Sequence, residues 1–142
     1  MIESAWFYWA LLSAAFAAAT AIFAKLGLQT VDSDLATLVR TFVILFALGA
    51  FVGATGKWIS PLRLGARTLL FLVLSGLATG ASWVCYFRAL KLGRASQVAP
   101  IDKLSLVLVA LFAVLFLGER PSVRDWCGIG LVGAGVVVLA LK

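Results

Sequence analysis

The chain has 142 residues, of which 63% are hydrophobic, 13% are charged and none is histidine, and its mean hydropathy is +1.10. Such a composition excludes a soluble domain with an ordinary charged surface and marks an integral membrane protein. The net charge of +6 does not point to nucleic acid, because the bases stand singly between apolar segments and read as charges at membrane ends.

Residues 4–24 run for 21 positions without a charge before Lys25, so a helix over about 4–26 crosses the bilayer. Its alanines, from Ala14 to Ala21, give it a small-residue surface that another helix can approach closely. The preceding MIESAW carries an acid and no early base, which reads as the entry to a spanning helix and not as a cleaved signal peptide. A link containing Gly27, Asp32, Ser33 and Asp34 leads to a second helix over about 35–55, with Arg40 near its start and Gly49 and Gly53 at GxxxG spacing. The next link, residues 56–67, holds Trp58, Pro61 and three bases and is the long polar connection of the chain. A third helix follows over about 67–91. Its uncharged stretch, 68–87, is 20 residues, enough for one crossing, with Gly76 and Gly80 four apart and then Trp83, Tyr86 and Arg88. The brief turn 91–95 forces an antiparallel hairpin with the segment after it.

That fourth segment, expected over about 97–118, is chemically odd. Residues 104–118 are 15 uncharged positions, about 22 Å of helix against a bilayer core of about 30 Å, so the span must reach back to Ala99 and take in Pro100, Asp102 and Lys103. An ionisable group costs about 2.5–3.5 kcal/mol at mid-bilayer, less near the edge, and faces a cavity or a partner. Two readings of the pair stand side by side. In one, Asp102 and Lys103 line a polar transport vestibule. In the other, the helix begins near Pro100, Asp102 complements the dipole in the first turn and Lys103 snorkels to the headgroups. Adjacent positions on a helix do not face each other, so Asp102 is expected to take its cation from another helix. After the turn through Glu119, Arg120, Pro121 and Ser122, a fifth helix over about 123–141 carries Gly128, Gly130, Gly133 and Gly135, a packing face. Cys85 and Cys127 fall inside apolar spans and pack as small hydrophobes.

The predicted fold is all-α: a polytopic membrane protein, one domain over 1–142, a bundle of five transmembrane helices with its termini on opposite sides. Trp6, Tyr8, Trp9, Trp58 and Trp126 then map to one membrane face, A, as an interfacial belt does. Face A carries Lys57, Arg63, Arg67, Arg120 and Arg124. Face B carries Lys25, Arg40, Arg88, Lys91, Arg94 and Lys142, with Lys103 a little deeper. So weak an excess does not fix orientation by the positive-inside rule. Insertion both ways and an antiparallel homodimer, an inverted repeat made from two copies, is one expectation; a single orientation set by local features is the other. Lys25, Arg40, Arg88, Asp102 and Lys103 all lie near face B and, with Tyr86, Gln97 and Ser105, could line a vestibule that attracts anions. For Lys25, Arg40 or Arg88 taken alone, snorkelling from a helix end is the better reading, and only their coincidence points to a vestibule.

Nothing in the chain points to an enzyme. It has no histidine, no clustered metal ligands, no phosphate-cradling glycine loop and no nucleophile with a base at local spacing, so neither a metal nor a cofactor is expected.

Four stretches carry a family resemblance: Tyr86-Phe87-Arg88-Ala89-Leu90; Ser96 with Val98-Ala99-Pro100; Leu117-Gly118-Glu119-Arg120; and Gly128 followed by Leu131-Val132 and Gly135-Val136. Together they resemble the EamA domain of the drug/metabolite transporter superfamily, over nearly the whole chain and most strongly from Thr68 onward. Members typically have ten helices in two inverted halves. This chain is similar to one half, the five-helix bacterial and archaeal branch, and the resemblance implies pairing of two copies in the inner membrane. It further implies movement of small metabolites or drugs through a central cavity by alternating access. The candidates for substrate or ion contact are Arg40, Trp83, Tyr86, Arg88, Asp102 and Lys103, with Asp102 preferred for ion coupling and Glu119 assigned to a helix end. The candidates for helix packing or dimer contact are Gly49, Gly53, Gly76, Gly80, Gly128, Gly133 and Gly135. A non-transporting subunit that packs on a larger membrane partner through its glycine faces is the alternative.

Overall fold

The computed structural model describes residues 5–141. Ser4, the expected start of the first segment, and Lys142, counted on face B, lie outside the described residues. Among the described residues, five helical spans are long and apolar enough to cross a membrane: Ala5–Gly27, Ser33–Ala54, Ala66–Leu92, Ala95–Leu117 and Val123–Ala140. No strand occurs among the described residues. The all-α, polytopic membrane architecture is therefore as the hydropathy dictates, and most large apolar side chains of the spans point outward, as suits helices whose solvent is lipid.

The first three spans are the single helices α1 (Ala5–Gly27), α2 (Ser33–Ala54) and α3 (Ala66–Leu92). Helix α2 starts at an aspartate cap: the Asp32 carboxylate accepts from the backbone N–H of Asp34 at 2.9 Å and of Leu35 at 3.2 Å, satisfying two donors that a helix start leaves open. At 27 residues α3 is about 40 Å long, roughly 10 Å more than a bilayer core. Its charged ends, Arg67 and the Arg88 to Lys91 turn, can thus reach the headgroup zone without leaving the helix.

The fourth span is built in three pieces: α4 (Ala95–Asp102), α5 (Ser105–Phe112) and a π-helical turn, Ala113–Leu117. Pro100 lies inside α4 and has no N–H to return to the carbonyl of Ser96, which weakens the helix there. Just beyond, the ladder tightens to three-residue steps: Lys103 N–H donates to Pro100 O at 2.9 Å, Leu104 to Ile101 at 3.0 Å, Leu106 to Lys103 at 3.0 Å and Val107 to Leu104 at 3.1 Å. Asp102 therefore ends a helix. The reading that placed it in a first turn assumed a start near Pro100, whereas α4 begins at Ala95. The span closes at Gly118, whose φ of +67° is left-handed and costs an L side chain about 1–2 kcal/mol; Glu119 N–H caps Ala113 O at 3.1 Å. The fifth span, α6 (Val123–Ala140), opens with a reciprocal cap in which Ser122 Oγ accepts from Asp125 N–H and the Asp125 carboxylate accepts from Ser122 N–H.

Two compact units divide the chain, one of Phe23–Lys91 and the other of the residues before and after it. In the first, the buried side chains are Leu28, Ser33, Thr37, Phe87 and Leu90. The Thr37 hydroxyl donates to Ser33 O at 2.8 Å, so a polar group inside it is satisfied locally. In the second, α4 and α5 pack on α6 and Ala113 and Val136 are buried. A Cβ at Gly133 would stand 3.3 Å from Val107 Cγ2, so this glycine of α6 lets α5 approach closely. Added Cβ atoms at Gly49, Gly53, Gly76, Gly80, Gly128 and Gly135 meet nothing within 4 Å.

Candidate functional site

The densest polar constellation lies within the Phe23–Lys91 unit, where the end of α1, the start of α2 and the end of α3 supply its side chains. Trp83, Phe87 and Lys91 are spaced by four and so share one stripe of α3. Lys91 Nζ donates to the carbonyl of Val31, just before α2. One turn back, Arg88 forms a fork with Asp34: Nε to Oδ1 at 2.9 Å and Nη2 to Oδ2 at 2.6 Å. Deeper still, the Arg40 guanidinium lies over the rings of Trp83 and Phe87, with Cζ 4.5 Å and 5.1 Å from their centroids. The partners thus march in opposite directions along the two helices, 31 with 91, 34 with 88, and 40 with 87 and 83, which is the register of an antiparallel pair.

These contacts have distinct physical roles. The Arg88–Asp34 pair is bidentate, the arrangement in which a guanidinium gives most directional specificity. Its side chains are about half exposed, at 60% and 48%, so it serves as a clasp at the end of the unit and not as a buried ion pair. Lys25 Nζ donates to Leu90 O at 2.6 Å, closing an orphan carbonyl of the last turn of α3. Arg40 is different. It is half-buried, the eighth residue of α2 and so about 10 Å along the helix, and its positive charge rests on two aromatic faces. Tyr86 lies within electrostatic reach of it.

The structure brings together four of the six sequence-predicted site residues, Arg40, Trp83, Tyr86 and Arg88, and adds three that the sequence reading gave no site role: Asp34, Phe87 and Lys91. The sequence alone sets Asp34 in a link. The signal that places it on a helix is Asp32-Ser33-Asp34 itself, an aspartate cap followed by an acid in the first turn. The other two, Asp102 and Lys103, lie in the second unit and pair with each other, Nζ to Oδ2 at 3.3 Å. The expectation that Asp102 needs a cation from another helix is therefore corrected. Adjacent residues do not face each other on a helix, but the long side chain of Lys103, which stands at the break between α4 and α5, folds back far enough to reach the neighbouring carboxylate. At the other end of the same span, an open cavity of about 850 Å³ has an apolar wall that includes Leu106, Val109 and Val132 and a charged mouth of Glu119, Arg120, Arg124 and Asp125. Among the described residues no three histidine, cysteine or acidic side chains gather as a metal-ligand set.

Comparison with known proteins covers the whole constellation. The model of the EamA-like transporter family matches residues 4–141. The chain is 58% identical over 140 residues, 99% of both chains, to an uncharacterized transporter in the cobO 3′ region of a Sinorhizobium species. It is 29% identical over 86 residues to a probable 4-amino-4-deoxy-L-arabinose-phosphoundecaprenol flippase subunit, ArnE, of Hamiltonella defensa, covering 61% of this chain and 76% of that one. A Yersinia pestis protein of the same description is 29% identical over 73 residues, 51% of this chain and 64% of its own. No solved structure is significantly similar to the chain.

Proposed function

We infer a transport function from one premise: the chain belongs to the EamA-like transporter family. It is a multi-pass integral membrane protein of a bacterial membrane and a membrane transporter of that family. The observation that carries this reading is the match of all five spans, end to end, to a transporter family and to a bacterial relative named as a transporter.

We propose further that two five-helix chains assemble around a central cavity and rock to expose it to each side in turn. The cargo is a small metabolite, a drug or the head group of a lipid-linked solute. Asp102, paired with Lys103 at the break of the fourth span, is the coupling candidate, since broken spans are where transporters coordinate substrates and ions. A second reading is favoured by the word subunit in the names of the ArnE relatives. In that reading the chain completes a transporter only with a different five-helix partner.

Reporters fused after Lys142, one active only inside the cell and one only outside, separate the two. Comparable activity from both means dual insertion and an antiparallel homodimer. Activity from one alone, together with failure of the purified chain to crosslink to itself, assigns the partner role. Vesicles containing the purified chain, with its partner if one is found, should then accumulate or flip a solute that empty vesicles do not. Absence of any such solute across metabolites, drugs and lipid-linked sugars sinks the transport reading.

A further inference from the structure

The geometry points to a binding site for a phosphate group at Arg40. Four cations, Lys25, Arg40, Arg88 and Lys91, stand on the contacting ends of α1, α2 and α3 within one unit, and three of them hold an oxygen of the protein. Lys25 takes Leu90 O, Lys91 takes Val31 O, and Arg88 takes both carboxylate oxygens of Asp34. Arg40 holds none: among the described residues it makes no hydrogen bond and no ion pair, and it lies over the faces of Trp83 and Phe87 with Tyr86 within electrostatic reach. An aromatic face stabilises the positive charge but offers no oxygen to the five N–H donors of a guanidinium. A half-buried arginine within a spanning helix, held in place by two rings and left with a full set of donors, is a preorganised fork for an oxyanion.

The local charge selects among oxyanions. Against the four cations stand two acids, Asp32 and Asp34, and Asp34 is engaged by Arg88. The excess of two positive charges matches a phosphate monoester, which carries about −1.5 to −2 at neutral pH, better than a single carboxylate. Trp83 and Phe87 serve as positioning residues, because they hold the guanidinium and leave its edge for the ligand. That the phosphate belongs to a transported molecule rests on the transport reading above; the site itself does not.

Trp83 provides the readout. In a full-length chain with Trp6, Trp9, Trp58 and Trp126 changed to Phe, the fluorescence of Trp83 reports on the cation above it. It is expected to change saturably with inorganic phosphate or with phosphatidylcholine vesicles doped with phosphatidic acid, and not with chloride at equal ionic strength. A response to inorganic phosphate identifies a soluble phosphate ester as the source. A response to phosphatidic acid alone identifies a lipid-borne phosphate. Arg40→Gln should weaken either response by at least about tenfold, the loss expected for a charged hydrogen-bond donor. Arg40→Lys keeps the charge without the fork and should fall between; if Arg40→Gln does not insert, this variant carries the comparison, and thermal stabilisation of the unaltered chain by the same probes supplies a second measure. Silence of Trp83 to both probes, or an undiminished response in the Arg40 variants, overturns the site. Transport of a phosphate-free solute with no phosphate effect on Trp83 removes the site and leaves the transport reading. Phosphate binding without any transport does the reverse.

Discussion

Replacing Lys25 by methionine separates a lysine that merely reaches for the headgroups from one that holds the chain together. The amine donates at 2.6 Å to the carbonyl of Leu90, a residue with no exposed surface, in a turn of α3 whose carbonyls lack helical donors. Methionine keeps the length of the side chain and abandons the carbonyl. A buried acceptor left unpaired costs about 1–3 kcal/mol in soluble proteins, whereas interhelical hydrogen bonds in membranes average about 0.6 and reach about 1.7, because the unfolded chain finds other partners there. Here the donor is charged and the acceptor is fully enclosed, so the loss should lie near the top of the membrane range, about 1–2 kcal/mol. Relief from holding a cation at the bilayer edge is smaller than its mid-bilayer cost of about 2.5–3.5 kcal/mol and trims the loss without reversing it. Unfolding in mixed micelles by titrated dodecyl sulfate, followed by far-ultraviolet circular dichroism, measures the difference. A Lys25→Met chain as stable as the parent, or more stable, refutes the contact and restores the snorkelling lysine.

Three further outcomes follow from the same geometry. Asp34→Arg and Arg88→Asp should each lower the thermal midpoint of the detergent-solubilised chain, and the double exchange should recover most of the loss. Additive losses would dissolve the clasp. Gly133→Leu should destabilise the chain by about 1–3 kcal/mol, because a Cβ there already meets Val107 at 3.3 Å, whereas a Cβ at Gly80 has open space around it, so Gly80→Leu should leave unfolding unchanged while diminishing any crosslinked dimer built on that face. Equal effects of the two on unfolding would contradict the packing of α5 on α6. Asp102→Asn should abolish the pH dependence of transport in a protein that still inserts, if Asp102 couples ion movement; an unaltered profile in vesicles assigns it to the break alone.

What the sequence makes legible here is what hydropathy and spacing encode. The five crossings follow from runs of about 20 apolar residues, because a bilayer core has a fixed thickness. Arg40, Trp83, Tyr86 and Arg88 stand out because charges and large amphipathic rings are costly or conspicuous inside such runs. The partners they choose are another matter. Asp34 passed as a loop residue, since its value lies in a contact with Arg88, 54 positions away, that no local pattern records. The pairing of Asp102 with Lys103 depends on the reach of a long lysine side chain, and the break beside it depends on where the helix starts. A start near Pro100 makes the proline harmless, whereas a start at Ala95 sets it inside the helix. The π turn at Ala113–Leu117 leaves no mark in a string of alanine, valine, leucine and phenylalanine.

That fourth span departs from regular helix twice, and in opposite senses. Around Lys103 each step turns the side chains through more than the roughly 100° of an α-helical residue, and in the π turn through less. The two departures rotate the side chains in opposite senses, so they offset one another over the stretch from the joint to the stop at Gly118. A π turn also holds one residue more than the α turn it replaces, which makes Ala113–Leu117 a place where the chain carries a spare residue. Deleting one residue there relaxes the turn and keeps the Gly118 stop in place, whereas the same deletion in α1 rotates everything before it by about 100° against everything after. Length variation among related chains can thus be absorbed inside a membrane span, at a point that hydropathy alone would call inviolable.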